Sequence, residues 1–143
     1  MRVDQKKLRK IVTMRYLVTM LLLLPLFMSA QLEVDYRKIP PTEGRYGQYV
    51  TKNGAVISLK DSITIGLPTG PDGFRFITAG WVSEDNIIAG RNIVVTGIRT
   101  FKRNYLRNKV FLKFRGTGIL SPSFIDYEMA LKSGEIEAIS VKN

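Results

Sequence analysis

Between Ile87 and Ile125 the chain carries no acidic residue. The same stretch holds Arg91, Arg99, Lys102, Arg103, Arg107, Lys109, Lys113 and Arg115, with Phe101, Tyr105, Phe111 and Phe114 among them. That mixture suits a polyanion: guanidinium and ammonium groups meet phosphate or sulfate, and rings stack on bases or sugars. The pattern predicts a strand-to-strand connection at Lys102 to Asn108, with Lys102, Arg103 and Arg107 presented together at its tip. Arg99, Lys109 and Lys113 on its flanks complete a set of six candidate ligand-binding cations. Trp81, the single tryptophan, is a candidate platform for a glycan or a partner. Structural roles compete with both readings. Outward Lys and Arg on a hairpin blunt edge pairing, and a lone Trp beside a strand packs in the core.

Other chemistries are constrained by what is missing. The chain has no His and no Cys. A Ser-His-Asp triad, a His base, the common zinc sites, a Cys nucleophile, a disulfide scaffold and an N-terminal lipid-modified Cys are therefore excluded. A Ser–Lys pair is the one nucleophile arrangement the composition permits, and no local motif marks it. Asp61, Asp72, Glu84 and Asp85 fall in or near expected loops, where two of them could form a glycosidase pair or a hard-cation site. Turn and capping roles account for Asp61, Asp72 and Asp126 more simply. The segment from Gly66 to Gly73 has the glycine content of a phosphate loop, but lacks its Gly-Lys-Ser/Thr ending and a following helix. Leu67-Pro68-Thr69-Gly70 lacks the extra residue of a cell-wall sorting signal, so the segment reads as a connecting loop. No catalytic residue, metal or cofactor is expected.

The elements that would position these residues begin after a distinct leader. Arg2, Lys6, Lys7, Arg9, Lys10 and Arg15 form a basic region, Tyr16 to Met28 is apolar apart from Thr19, and Ser29 and Ala30 are small. Basic, then apolar, then small is the order of a secretory signal peptide, with cleavage after Ala30. Met14 begins a more compact signal and is the alternative start. An uncleaved membrane anchor over residues 16–30 is the alternative reading. The whole chain has 22 Lys+Arg and 12 Asp+Glu, a net charge of +10. Half of that excess lies in residues 1–30, so the high overall charge is weaker support for a nucleic-acid partner than it first looks.

Residues 31–47 are polar, include Pro40, Pro41, Gly44 and Gly47, and read as an extended, loosely ordered leader or as an edge strand around Leu32 to Tyr36. Residues 48–143 read as one small β domain. Tyr49 to Lys52 and Ala55 to Leu59 flank an Asn53-Gly54 turn. Asp61 to Ile65, Phe74 to Ala79, Asn92 to Phe101 and Lys109 to Arg115 are further strands, with a bulge or bend expected at Gly97. A short helix is expected over Phe124 to Lys132, with Asp126 as N-cap and Gly134 at its left-handed end. Ile136 to Val141 would be a final strand. The expected architecture is mainly β: a small bent antiparallel sheet or a partly closed SH3-like or OB-like barrel with one short C-terminal helix.

Asp61-Ser-Ile-Thr-Ile-Gly66-Leu-Pro, then Phe74-Arg-Phe-Ile, and the ending Ile125-Asp-Tyr-Glu-Met-Ala-Leu-Lys-Ser-Gly-Glu-Ile136 resemble small uncharacterised exported β-domain proteins of gut bacteria. The resemblance implies an export signal followed by a short β domain, and it transfers no catalytic residue. Many such proteins carry a lipid-modified Cys after the signal, where this chain has Gln31. Together these readings predict an exported protein, periplasmic or secreted, acting as a non-enzymatic interaction module of the bacterial envelope. Its partner would be an envelope protein or an extracellular polymer, with membrane contact only through an uncleaved leader. One alternative is a polyanion binder, glycan or nucleic acid, working through the basic hairpin; export disfavours the nucleic acid. Another is a small enzyme with a carboxylate pair or Ser–Lys dyad.

Overall fold

The computed structural model describes residues 32–79, 82–83, 86–116 and 122–139. Residues 1–31, which hold the expected signal peptide, and Trp81, Glu84 and Asp85 lie outside the described residues. The strands are β1 (Glu33–Asp35), β2 (Gly44–Tyr46), β3 (Gln48–Val50), β4 (Val56–Ser58), β5 (Ser62–Thr64), β6 (Ile77–Ala79), β7 (Val82–Ser83), β8 (Asn92–Val94), β9 (Gly97–Thr100), β10 (Phe111–Phe114) and β11 (Ser123–Asp126). Among the described residues there is one α-helix, α1 (Tyr127–Ser133), which follows β11 directly. The fold is therefore mainly β with a short C-terminal helix.

Three sheets form: β1-β3-β4, β2-β9-β10-β11-β6-β7 and β5-β8. The six-stranded sheet ends on β2 and β7, which do not pair, so of the two expected forms the structure has the open sheet and no closed barrel. Its strands run only two to four residues before a turn or bend, too short to wrap around an axis. Every pairing in that sheet is antiparallel, and the register aligns one inward row: Tyr46, Ile98, Leu112, Ile125 and Ile77. All five are buried and belong to one core. Burying side chains of this size contributes about 1.5–3 kcal/mol each, which sets the side-chain phase of five strands at once.

Residues 32–47 are part of this fold, against the loosely ordered leader that their polarity suggests. Val34 is buried in the core, and β1 pairs in parallel with β3 as an edge strand. β2 then crosses to the six-stranded sheet and places Tyr46 in the inward row. Val34 and Tyr46, twelve positions apart, stitch the segment into two sheets.

The β-branched run from Asn92 to Phe101 is two strands rather than one. β8 pairs with β5, β9 pairs with β2 and β10, and the chain bends between them at Val95 and Thr96. The bend is held on both sides. Val95 N–H donates to the Asp61 carbonyl at 2.9 Å, and Thr96 N–H donates to the Lys113 carbonyl at 2.8 Å.

A second departure concerns Phe74 to Ala79, whose alternation suggests a continuous strand. Strand geometry begins only at Ile77. Arg75 and Phe76 instead direct their N–H groups to the Glu135 carboxylate, at 2.6 and 2.8 Å. Thr69 donates to the same carboxylate from its N–H at 3.2 Å and its hydroxyl at 2.6 Å. Glu135 is 0% exposed. Four donors thus converge on one buried carboxylate, which fixes the Gly66–Gly73 loop against the end of α1. The bend brings Phe74 and Ile77, three positions apart, into the core together. Gly66 is required by this closure, because a Cβ there would lie 2.3 Å from the Gly134 carbonyl oxygen.

The helix starts three residues later than expected. Phe124 and Ile125 form strand instead, because β10 on one side and β6 on the other pair with them and send the two side chains to opposite faces. Asp126 takes the N-cap position without a side-chain capping bond, and Gly134 closes the helix with φ 83°. Beyond α1, Ile136 forms a single bridge to Ile65, Ile139 is partly buried against the core, and Val141 lies outside the described residues.

The helix start also holds the β3–β4 hairpin. Glu128 accepts from the Tyr49 hydroxyl at 2.6 Å and from the Lys52 N–H at 2.9 Å. The Tyr49 and Tyr127 rings meet edge to face at 5.8 Å. Burial raises the pKa of both phenols. Tyr49 is raised further by its hydrogen bond to Glu128, and Tyr127 is pushed up to about 12. Below the ordinary value of 10.0 both are neutral in folded and unfolded chains, so stability is unaffected by them there. Above it the unfolded chain ionises first, and each phenol lowers stability by about 1.4 kcal/mol per pH unit until its folded pKa is reached. The Tyr127 hydroxyl is buried with no hydrogen-bond partner among the described residues. Urea unfolding should therefore show Tyr127→Phe about 1 kcal/mol more stable at pH 7, with a shallower decline above pH 10.

Candidate anion-binding face

The inward row of the six-stranded sheet forces the intervening positions outward. One outward row runs Arg45, Arg99, Phe111 and Asp126, and the next runs Gly97, Lys113, Phe124 and Thr78. The connection from Phe101 to Val110 folds over part of this face. It contains a 3-10 turn over Asn104–Leu106, and Asn108 turns the chain with φ 59°. Leu106 is buried against Phe111 and Phe124, and Phe101 packs beside them. Phe101 meets the Phe111 ring at 5.3 Å and the Phe124 ring at 5.7 Å, both edge to face. These aromatic contacts anchor the connection, so it is a pinned loop and not a free hairpin tip.

The pinned loop leaves Lys102, Arg103 and Arg107 exposed, as the sequence suggests. Two of them brace the loop. Arg107 Nε donates to the Lys102 carbonyl at 3.2 Å, and an Arg103 guanidinium nitrogen donates to the Tyr105 hydroxyl at 3.2 Å. Tyr105 is 68% exposed, so its ring stands in solvent beside three cations.

Lys109 differs from the other candidates. Its ammonium lies 2.6 Å from Asp126 Oδ2, the one ion pair found among the described residues. The Asp126 side chain is only 10% exposed, and its charge needs that partner. Lys109 therefore belongs to the scaffold and not to a ligand. The same pairing explains why Asp126 does not cap α1 with its side chain.

Arg99 and Lys113 have no such acidic partner among the described residues. A third cation joins them that the basic run did not include. Arg45 sits directly opposite Arg99 across the β2–β9 pair, and it is exposed. Like charges at directly opposed positions destabilise a sheet. Gly97, two residues before Arg99 on the same face, supplies no side chain to separate the charges. The Lys113 stem runs over it: a Cβ on Gly97 would meet Lys113 Cβ at 3.3 Å and Cδ at 3.5 Å. Arg45, Arg99 and Lys113 thus form an uncompensated cationic patch beside the exposed Tyr105 loop. Arg45 was hidden in the sequence because it lies 42 residues before the edge of the basic run at Ile87 and only β-pairing brings it to Arg99. Arg91 precedes β8 and stands with the two-stranded sheet instead.

The acidic candidates resolve differently. Asp61 accepts the Ser58 N–H at 2.7 Å, a turn-closing role. Asp72 lies in the turn between the bridged residues Gly70 and Gly73. Comparison with protein-family models, curated proteins and solved structures finds no match.

Removing Lys109 should act on folding. Lys109→Ala leaves the Asp126 carboxylate unpaired and should cost about 1–2 kcal/mol by urea unfolding, after allowance for the partly exposed ammonium. Lys102→Ala, on the solvent side of the loop, should change stability by less than about 0.5 kcal/mol.

Proposed function

We propose that this domain is a binding module for an anionic polymer, held on the outward face of its six-stranded sheet by Arg45, Arg99 and Lys113 and by the Lys102–Arg107 loop. The observation that carries the reading is the direct opposition of Arg45 and Arg99, neither of which forms an ion pair with a carboxylate among the described residues. A protein gains nothing in stability from that arrangement, whereas a phosphate or sulfate placed between the two guanidinium groups relieves it. The Tyr105 ring beside the patch adds a surface on which a sugar or base can stack. The basic-apolar-small order of residues 1–30 supports export, and an exported domain meets anionic glycans. A sulfated or phosphorylated glycan of the envelope is therefore the proposed ligand class, and the role is binding without chemistry.

The test is the affinity of the full chain for a heparin-derived oligosaccharide, measured by calorimetry across a series of salt concentrations. Affinity should fall steeply with salt, because bound cations displace counterions. The triple variant Arg45→Ser, Arg99→Ser, Lys113→Ser should bind at least about tenfold more weakly, with a salt slope reduced by about one unit per cation removed. Binding that ignores salt, or a triple variant that binds like the parent, would remove the proposal. Tighter binding to single-stranded DNA than to the oligosaccharide would reassign the ligand.

A further inference from the structure

The edge of β4 borders a groove of about 550 Å³ that shares no residue with the cationic face. Its walls are Ala55 and Val56 on one side, Asp61 and Ile63 along the floor, and Glu137 and Ile139 of the C-terminal segment on the other. The hydrogen bonding of β4 shows which backbone groups face it. Ala55 O accepts from Thr51 N–H at 2.8 Å, and Leu59 N–H donates to Gly47 O at 3.2 Å. Odd-numbered positions therefore face β3, and Val56 and Ser58 face the opposite edge. Ser58 is already occupied: its N–H goes to the Asp61 carboxylate and its carbonyl accepts Asp61 N–H at 3.2 Å. Val56 directs both its N–H and its carbonyl to the outer edge, where neither meets a backbone partner among the described residues, and its side chain is 50% exposed.

An unpaired strand edge beside a groove is the geometry by which an extended peptide adds to a sheet. The charge of the walls selects the occupant. Asp61 and Glu137 line the groove, and no Lys or Arg does among the described residues. Val56, half exposed, and Ile139, partly buried, supply apolar surface between them.

We propose that this groove binds an extended segment of a partner protein in which basic and apolar residues alternate. The peptide pairs its backbone with Val56, sets a Lys or Arg against Glu137 and Asp61, and lays apolar side chains on Ile139 and the Val56 side chain. A cationic peptide is repelled by the Arg45–Arg99 face, so this site and the polymer-binding face are independent.

The probe is acetyl-Val-Lys-Val-Lys-Val-amide, titrated into isotopically labelled full-length protein and followed by amide NMR. The amides of Val56, Ile63 and Ala138 should shift, and those of Arg45 and Arg99 should not. Acetyl-Val-Glu-Val-Glu-Val-amide should bind about tenfold more weakly. Glu137→Gln should weaken the Lys peptide about threefold. Val56→Pro, which removes the edge N–H, should weaken it about tenfold. A Lys peptide methylated at its central backbone nitrogen, run against the unaltered protein, should lose a similar factor, and that result does not depend on the variant folding. Equal binding of the Glu peptide, unmoved groove amides, or indifference to backbone methylation would overturn the proposal.

Discussion

The buried carboxylate of Glu135 is the constraint on which the rest of the domain depends. A charge removed from water must find donors, and here three backbone N–H groups and one hydroxyl converge on it. Loss of the carboxylate would take the acceptor from all four donors at once, at about 0.5–1.5 kcal/mol for each hydrogen bond lost. The consequence runs through the chain in order. Bending Arg75 and Phe76 toward Glu135 delays the start of β6, which puts Ile77 in register with Ile125. That register sets β11, and β11 leads straight into α1, whose end delivers Glu135. The loop, the sheet and the helix are therefore closed into one ring of dependence.

The outward face follows from the inward one. Once Ile98, Leu112 and Ile125 are committed to the core, Arg99, Lys113 and Phe124 have no choice but to point the other way. Phe101, Phe111, Phe124 and Leu106 use that side to build a second, smaller apolar cluster, which pins the cationic loop in place. The Lys109–Asp126 pair adds a further tie at the edge of the same cluster. The scaffold thus fixes the position of several cations while neutralising only one of them. Under the proposed function, backbone positions fixed by the sheet would lower the ordering cost of binding an anion.

Much of the fold was legible in the sequence where local pattern and tertiary demand agree. The Asn53-Gly54 hairpin, the alternation of Val110, Leu112 and Phe114, and the left-handed Gly134 all stand where the residues suggest. The failures share one cause, a distant partner that no local pattern displays. Phe74 to Phe76 looks like strand until Glu135, 60 residues away, claims the backbone. Phe124 looks like helix until β10 and β6 flank it. Residues 32–47 read equally as a leader or an edge strand, because only Val34 and Tyr46 are fully buried and Tyr36 and Ile39 are only partly covered by the core. Of the candidate site, Arg99, Lys102, Arg103, Arg107 and Lys113 were visible as a basic run. Arg45 needed the β2–β9 pairing, and the commitment of Lys109 to Asp126 needed the β10–β11 pairing.

The central claim is that an anionic polymer lies on this one face of the sheet. A titration of the labelled full chain with a short sulfated oligosaccharide, followed amide by amide, tests it most directly. The account predicts that the shifts concentrate at Arg45, Gly97, Arg99, Lys113 and Tyr105, and that the buried partners Ile98 and Leu112 move far less. Shifts concentrated at Val56, Ile63 and Ala138, or no saturable shifts at all, would contradict it.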